Sequence, residues 1–356
     1  MIAQNISLWL QIGLLAFLSS LAVSGFMCVA GLGDSSDDRS AHKGTIPTSG
    51  GVGILAGMGA AFCAMSVLFP NLNLPKGFAP ILSLVFSIGM LGLVDDALTL
   101  GAKTKFGIMI FISGAAVWLI GAPTKLPLLD DPITLLPVVG FMGAMLWIFV
   151  VMNAVNFMDG ANGMMGLSLA VANIGLFGAG LIGGSATTLL LSGLSLMALL
   201  GFLPYNVRQR ARIFSGDIGS LSLSFLFAVS VLYLIKDTPE ITMHLVGPIL
   251  ILPILVDVFL TLIRRARNGE NLLQAHNTHL YQRLIRNGIN HLTVSWFYAL
   301  AALLCANIVV IGAPRGWLDS IHIPLMLVGG AVALYLLINL SLKDRRLTNS
   351  RDDEAS

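Results

Sequence analysis

Long apolar runs recur along almost the whole chain. Each covers about 17 to 25 residues, the length that a helix needs to cross the hydrocarbon core of a bilayer. Of the 356 residues, 56% are apolar and only 11% are charged, which excludes an ordinary soluble globular protein. Because a helix satisfies its own backbone polar groups in lipid, the sequence predicts an all-α, polytopic bundle in the membrane.

Hydropathy predicts about eleven transmembrane helices, with ten as the alternative because the boundary near residue 183 is weak. The spans are expected at residues 6–30, 50–69, 78–94, 106–121, 135–152, 164–182, 186–203, 218–236, 244–263, 292–312 and 323–342. Residues 1–342 should form a single transmembrane domain. The polar residues 343–356 should form a disordered cytoplasmic tail.

The charges lie unevenly between the connecting loops. Of the 20 basic residues, 16 fall in one alternate set of loops, and the other four are Lys76, Lys125, Lys236 and Arg315. By the positive-inside rule the richer set is cytoplasmic, so we expect the N-terminus outside and the C-terminus inside the cytoplasmic (inner) membrane. The net charge of +2 indicates no nucleic-acid partner.

The three cysteines are Cys28, Cys63 and Cys305, at unrelated spacings within apolar runs. This pattern favours buried packing over a disulfide or a metal site.

Five polar segments interrupt the apolar pattern, and all five fall on the predicted cytoplasmic side. They read RSAHKGTIPTSGG (39–51), GLVDDALTLGAKTKF (92–106), NAVNFMDGANG (153–163), RIFSGDIGS (212–220) and QAHNTHLYQRL (274–284). Scattered structural polar residues have no reason to choose one face. An active site built from several loops must do so, and the segments therefore predict a site at the inner surface of the membrane.

Carboxylates mark two of these segments. Asp95 and Asp96 end a span, and adjacent carboxylates at a membrane boundary repel each other unless a cation or a shared proton relieves them. An ordinary solvated helix end is the alternative. Asp217 lies between glycines that let a ligand approach the backbone, and it is the best single candidate for a metal ligand. It is also suited to capping the next helix, and the two roles are compatible.

A polar stripe is predicted at the end of the fifth span. Asn153, Asn156 and Asp159 recur every three residues and should share one face of a helix, while Gly160 and Gly163 let the chain turn just beyond it. Such oxygen ligands suit Mg²⁺, which shares its coordination sphere with waters and phosphates. Asparagines that join helices by hydrogen bonds are the alternative.

Basic residues and histidines surround these motifs. The arginines Arg208, Arg210 and Arg212 suit a phosphate-bearing ligand, although Arg208 and Arg210 suit topological or lipid-headgroup charge equally well. The spacing of His276 and His279 places both on roughly one face of a helix, and without a nearby cysteine it favours phosphate or sugar contacts over zinc.

Three further residues are less clear. His42 and His291 are weaker candidates for the site. Asp257 lies inside the ninth span, where an acid is a candidate functional residue, but pairing with Arg264 seven residues later would equally explain it.

The motifs DD, NxxNxxDG, GDxGS and the late histidine motif, in this order, resemble those of the polyprenyl-phosphate N-acetylhexosamine-1-phosphate transferase family over about residues 39–284. The resemblance implies that Asp217 and Asn156 hold Mg²⁺, with Mn²⁺ as an alternative, and that Asp95 and Asp96 lie beside the acceptor phosphate, one of them as a base. It places Asn162 near uridine, and His276 and His279 at the donor sugar and its phosphates. The other expected substrate contacts are Asn153, Asp159, Lys105, Arg212, Arg283 and His42.

Two departures from the family pattern matter. Many members have aspartate where this chain has Asn162, which puts a charge-dependent role at that position in doubt. The segment HNTHLYQRL lacks the triple-histidine pattern of the muramoyl-pentapeptide enzymes. It is more similar to the HxSHxYQRL branch, which starts O-antigen and related surface glycans from UDP-N-acetylhexosamines, including 6-deoxy sugars such as N-acetylfucosamine.

The activity that the resemblance implies is transfer of a sugar 1-phosphate from such a donor to undecaprenyl phosphate, with release of UMP. The expected partners are these two substrates and membrane lipid, and a homodimer is left open. An ion-coupled secondary transporter is the alternative function, because membrane carboxylates also bind cations or protons in carriers.

Overall fold

The computed structural model describes residues 6–30, 46–68, 78–127, 132–238, 241–274, 276–318 and 321–353. Within these ranges ten helices are long and apolar enough to cross a membrane, and a bent helix pair brings the number to eleven if it counts as one span. This confirms the predicted all-α polytopic bundle.

The helices follow one another with short connections. They are α1 (Ile6–Ala30), α2 (Gly50–Leu68), α3 (Phe78–Leu98), α4 (Ala102–Ile120), α5 (Pro137–Phe157), α6 (Met164–Gly183), α7 (Ala186–Asn206), α8 (Gly216–Asp237), α9 (Val246–Leu250), α10 (Leu252–Arg267), α11 (Leu280–Arg286), α12 (His291–Gly312) and α13 (His322–Asp353). Single 3₁₀ turns precede α9 (Ile241–Leu245) and follow α12 (Ala313–Arg315). The last helix continues through Asp353, into the segment that the sequence predicts to be a disordered tail.

The predicted span at 244–263 is bent. Met243–Leu250 and Leu252–Arg267 meet at an angle of 68°. Pro253 lies at the start of α10, where it has no N–H to donate and its ring clashes with the carbonyl four residues earlier. The chain therefore changes direction at Ile251 instead of crossing as one straight helix.

Helix α8 lies at the centre of the bundle. In its apolar 18-residue stretch 94% of the residues are buried, against 11% in the corresponding stretch of α13. It packs against α3, α5, α7, α2 and α6, so its first turn is surrounded by the ends of other helices. Outer helices expose large apolar side chains such as Trp118 and Leu304, as expected for surfaces that face lipid.

Glycines let the backbones of α2 and α3 touch the first turn of α8. A Cβ atom added at Gly51 would lie 2.2 Å from the backbone nitrogen of Gly219, and one added at Gly92 would lie 2.4 Å from that of Ile218. Small residues of this kind allow close helix packing in membranes. We call this contact the glycine junction (Gly51, Gly92, Gly219), and it brings α2 and α3 together at the first turn of α8.

The described strands are β1 (Lys125–Leu126) and β2 (Ile133–Thr134), which pair antiparallel, with Lys125 opposite Thr134. They lie between α4 and α5 and connect those two helices at the opposite end from Asp95.

The cysteines correct one prediction. Cys305 is buried and Cys28 is half-buried, but Cys63 is exposed on the surface of α2. A thiol is apolar enough to face lipid, so the expectation of buried packing is wrong for Cys63.

Candidate active site

Three carboxylates meet at one end of the bundle. Asp95 and Asp96 lie in the last turn of α3, and Asp217 is the second residue of α8. The Asp217 backbone N–H donates to Asp96, with N–O distances of 3.1 Å to Oδ2 and 3.3 Å to Oδ1. Lys105 Nζ pairs with Asp95 Oδ2 at 2.7 Å and also with Asp217 Oδ2. These carboxylates from two helices therefore lie around one ammonium group.

A tight turn places that lysine. Between α3 and α4, Thr99 adopts a left-handed conformation with φ of 50°, which is uncommon for a β-branched residue. The next backbone amide, that of Leu100, donates to Asp95 Oδ1 at 2.7 Å. The tight turn thus brings the start of α4 back beside the end of α3, so that Lys105 faces Asp95.

Asn156 contacts Asp217 directly. Its Nδ2 donates to Asp217 Oδ1 at 2.7 Å and to Ser220 Oγ at 2.9 Å. The residue predicted to share a metal with Asp217 therefore lies within hydrogen-bond distance of it. Ser220 did not emerge from the sequence as a site residue, although it lies in the FSGDIGS motif three positions after Asp217.

Asp159 lies beside this group but beyond the end of its helix. It accepts a hydrogen bond from Ser215 Oγ at 2.6 Å, another contact that the sequence did not predict. Burial, together with the charges of Asp217 and Asp96, raises the pKa of Asp159 to about 8 against the opposing effect of the Ser215 hydrogen bond. Asp159 therefore holds a proton at pH 7 in the ligand-free site.

The predicted stripe does not form one helical face. Helix α5 ends at Phe157, so Asp159 lies after it. Asn153 donates to the carbonyl of Phe149 in its own helix at 2.8 Å. The three residues thus have different partners, and of the two asparagines it is Asn156 that hydrogen-bonds to the carboxylate group.

Residues 276–281, which we call the histidine segment, lie against the end of α5. The His276 and His279 rings are 4.8 Å apart, and the His279 ring is 5.7 Å from that of Phe157. Tyr281 donates through its hydroxyl to the Phe157 carbonyl at 3.1 Å. A Cβ added at Gly160 would lie 2.4 Å from that hydroxyl. The segment therefore ends beside Asp159.

The two histidines are not on a helix, which corrects that prediction. Helix α11 begins at Leu280, and His279 is its N-cap, with its backbone N–H donating to Gln282 Oε1 at 3.0 Å. His276 precedes the helix and stays partly exposed. Burial, together with the neighbouring His279 and Arg265, lowers the pKa of His276 to about 4, so the ring is neutral at pH 7.

Other predicted contacts lie apart from the carboxylates. Asn162 is fully buried, and its amide donates to the carbonyls of Arg208 and Gln209 at 2.8 Å and 3.1 Å. Asn162 thereby anchors the loop between α7 and α8, and its contact with uridine stays a prediction. Arg283 donates to Asn339 of α13.

The loop between α7 and α8 carries three exposed arginines, Arg208, Arg210 and Arg212. His42 lies outside the described residues. Asp257 is not paired with Arg264, which instead donates to the Thr278 carbonyl. Asp257 accepts hydrogen bonds from the start of α11.

The donor set suits a hard cation. Asp95 and Asp217 already enclose a positive charge, the Lys105 ammonium, so their carboxylates can share one. In the described part of the chain no group of three or more His, Cys, Asp or Glu is arranged to hold a metal ion by itself. Mg²⁺ does not need such a cage, because it is commonly held by one or two carboxylates together with waters and substrate phosphates.

Known proteins similar to this chain point to the same group of carboxylates. Residues 78–235, which carry all three carboxylates, match Glycosyl transferase family 4. A probable undecaprenyl-phosphate N-acetylglucosaminyl 1-phosphate transferase from Bacillus subtilis is 30% identical over 304 residues, 83% of this chain and 81% of its own length.

Two other relatives have related names. A phospho-N-acetylmuramoyl-pentapeptide-transferase from Clostridium acetobutylicum is 33% identical over 61% of this chain and 69% of its own length. A decaprenyl-phosphate N-acetylglucosaminephosphotransferase from Mycobacterium tuberculosis is 29% identical over 78% and 73%, respectively. With its membrane bundle and its converging carboxylates, the chain belongs to the polyprenyl-phosphate N-acetylhexosamine-1-phosphate transferase family.

Proposed function

We propose that this protein transfers an N-acetylhexosamine 1-phosphate from a UDP-sugar to undecaprenyl phosphate and releases UMP. The observation that supports this most strongly is the meeting of three carboxylates at one end of the bundle: Asp95 and Asp217 pair with Lys105, and Asp96 accepts from the Asp217 backbone N–H. Two anionic substrates that must react there need a site that both holds a cation and opens at a membrane surface.

Asp217, together with Asn156, would hold the Mg²⁺ that we propose as cofactor, with Mn²⁺ as a substitute. When bound, such an ion withdraws charge from the phosphate oxygens of the donor. Asn156 Nδ2 donates to Asp217 Oδ1 and keeps that carboxylate oriented. Hydrogen bonds to a metal-binding carboxylate commonly orient it toward the metal.

The proposed reaction is a direct displacement. An oxygen of the undecaprenyl phosphate bonds to the β-phosphorus of the donor, the bond from that phosphorus to the bridging oxygen breaks, and UMP leaves with the electron pair. The attacking phosphate is already largely ionised near pH 7, so no side chain has to remove a proton from it. We therefore propose that Asp95 and Asp96 position the acceptor headgroup, and that the Lys105 ammonium offsets the negative charge of the carboxylates and the phosphate.

A covalent aspartyl intermediate is the competing mechanism. Incubation with UDP-sugar in the absence of the lipid distinguishes the two. Direct displacement gives no covalently modified enzyme and no UMP, whereas formation of an intermediate would release UMP and leave the sugar phosphate bonded to Asp95 or Asp96.

We infer that the site faces the cytoplasm across the inner membrane, because UDP-sugars are cytoplasmic and the basic residues cluster on that side. Single cysteines in a cysteine-free background test this at Lys103 and Lys125, exposed positions at opposite ends of α4. In intact spheroplasts an impermeant maleimide should label the Lys125→Cys variant and not the Lys103→Cys variant. The reverse pattern would contradict the orientation.

For the donor, we propose N-acetylglucosamine first, because the names of several relatives contain it. A 6-deoxy sugar such as N-acetylfucosamine is the second candidate, because HNTHLYQRL resembles the HxSHxYQRL branch of the family. The product would start O-antigen or a related surface polysaccharide.

An ion-coupled carrier is less well supported. Its cation-binding acids would be expected near the bilayer midplane, but Asp95, Asp96 and Asp217 are at helix ends. Purified protein supplied with undecaprenyl phosphate, Mg²⁺ and UDP-N-acetylglucosamine should release UMP and form a lipid-linked sugar. No lipid-dependent UMP from any UDP-N-acetylhexosamine would overturn the transferase proposal.

A further inference from the structure

Asp257 is a carboxylate in α10 that the proposed reaction does not use. Its side chain is 1% exposed, deep enough that an ionised group must be well hydrogen-bonded to remain there. The sequence left its role open between a functional acid and a partner of Arg264.

Four donors from three helices meet at this carboxylate. Oδ1 accepts from the backbone N–H of Leu280 at 2.8 Å and from Thr261 Oγ1 at 3.1 Å. Oδ2 accepts from the backbone N–H of Tyr281 at 3.2 Å and from the Tyr298 hydroxyl at 2.7 Å. Leu280 and Tyr281 are the first two residues of α11, whose N–H groups have no partner within their own helix. Asp257 thus caps α11 from a neighbouring helix.

The same carboxylate faces a histidine of the candidate site. His279 Nδ1 lies 3.6 Å from Asp257 Oδ1 and is buried, with no hydrogen-bond partner among the described residues. A carboxylate at this position favours the tautomer with its proton on Nδ1, which leaves Nε2 as the nitrogen available to a ligand.

The capped end of α11 also determines how the histidine segment meets α5. Tyr281 donates its N–H to Asp257 and its hydroxyl to the carbonyl of Phe157. Two residues after Phe157, Asp159 accepts from Ser215, which precedes the α8 helix that carries Asp217. A short series of contacts therefore connects Asp257 to the carboxylate group.

We infer that Asp257 is a positioning residue for the UDP-sugar: it caps α11 and orients His279, and so holds the histidine segment in place for donor binding. This inference rests on the proposed function and on the family resemblance, which places His276 and His279 at the donor sugar and its phosphates.

The first test is Asp257→Asn, which keeps the shape but replaces one acceptor oxygen with an NH₂ group that faces existing donors. We expect the KM for the UDP-sugar to rise about tenfold, and the KM for undecaprenyl phosphate to stay within about twofold. Tyr298→Phe, which removes one of the four donors and should fold normally, should shift the donor KM in the same direction by a smaller factor. An unchanged donor KM in both variants would overturn the inference.

A double-mutant cycle separates positioning from general destabilisation. If Asp257 acts through His279, then Asp257→Asn should add less than about twofold to the donor KM in a His279→Ala background. Independent, multiplicative effects would show that the carboxylate only supports the fold, and would contradict the proposal.

Hydrogen exchange gives a readout that does not need activity. In Asp257→Asn, amides of residues 280–286 should exchange at least about tenfold faster, while those in the core of α8 keep the wild-type rate. If the wild-type protein releases no UMP but this exchange pattern appears, the proposed function fails and the capping role stands. If UMP is released but exchange at 280–286 is unchanged, the positioning role fails alone.

Discussion

The backbone N–H of Asp217 donates to the carboxylate of Asp96, 3.1 Å from Oδ2. The two residues are 121 positions apart and belong to α8 and α3, so this bond joins the start of one span to the end of another. Both aspartates therefore lie at the same end of the bundle, which a shared site requires.

Asp217→Asn should lower kcat/KM by about 100-fold or more, because it removes the charge that pairs with Lys105 and would bind the cation. The matched control is Asp237→Asn at the other end of α8, where Asp237 accepts from Ser185 Oγ at 2.7 Å. That variant should keep activity within about threefold of wild type. Lipid-dependent UMP release measures both, and equal losses would contradict the assignment of Asp217.

Removal of divalent cations should abolish UMP release, and Mg²⁺ or Mn²⁺ should restore it. In the proposed site the Asp217 carboxylate and the Asn156 amide oxygen would be the ligands, and oxygen ligands suit these hard cations. Full activity in excess EDTA, after extensive dialysis of protein and substrates against the chelator, would rule out the proposed cofactor.

Lys105→Met should reduce activity about tenfold or more, because Asp95 and Asp217 lose the cation between them. Without the competing ammonium, Mg²⁺ should raise the thermal unfolding midpoint more in this variant than in wild type. Lys103→Met, at an exposed position two residues earlier, is the control and should behave as wild type. An equal Mg²⁺ response in all three proteins would show that Lys105 is not in the cation site.

Gly160→Ala should raise the donor KM and lower thermal stability, because its Cβ would lie 2.4 Å from the Tyr281 hydroxyl. Tyr281→Phe removes that oxygen, together with its bond to the Phe157 carbonyl. The double variant should therefore be more stable than Gly160→Ala alone, as measured by unfolding in detergent. A double variant less stable than both single ones would contradict the contact.

Acid should destabilise the wild-type protein partly through His276. Its pKa is lowered to about 4 in the fold, so between the ordinary value of 6.5 and about pH 4 the unfolded chain binds a proton that the folded chain does not. Stability from this group is therefore full above pH 6.5 and is lost as the pH falls toward 4. His276→Gln should lose less thermal stability between pH 8 and pH 5 than wild type does, and an equal loss would contradict the lowered pKa.

Hydropathy predicted the membrane bundle because apolar runs of this length have few other ways to avoid water. The grouping of the polar segments on one side also predicted that Asp96 and Asp217 would lie together. Both inferences depend on patterns that extend over many residues and survive errors of several positions at each boundary.

Local backbone geometry was harder to foresee. The helical spacing of Asn153, Asn156 and Asp159 suggested one stripe, but α5 ends at Phe157 and separates them. In the same way, a three-residue spacing suggested a helix for His276 and His279, whereas capping by Asp257 starts α11 only at Leu280. Where a helix ends depends on partners distant in sequence, which spacing alone does not reveal.

Contacts between side chains of different helices and loops were also not predicted from the sequence. Lys105 was expected to contact substrate, but its pairing with Asp95 was not predicted, because it depends on the turn at Thr99. The buried amide of Asn162 likewise anchors a loop that starts more than 40 residues later.

The glycine junction restricts how such a protein can acquire a new donor preference. Where Gly51 and Gly92 bring main chains into direct contact with α8, any larger residue would push helices apart, and with them the aspartates that they carry. On the proposed function, we therefore expect sugar choice to diverge in two parts that can vary without moving these helices: the histidine segment and the arginine-bearing loop before α8. Reprogramming the enzyme by exchanging those two pieces should succeed where redesign of the helix packing would not.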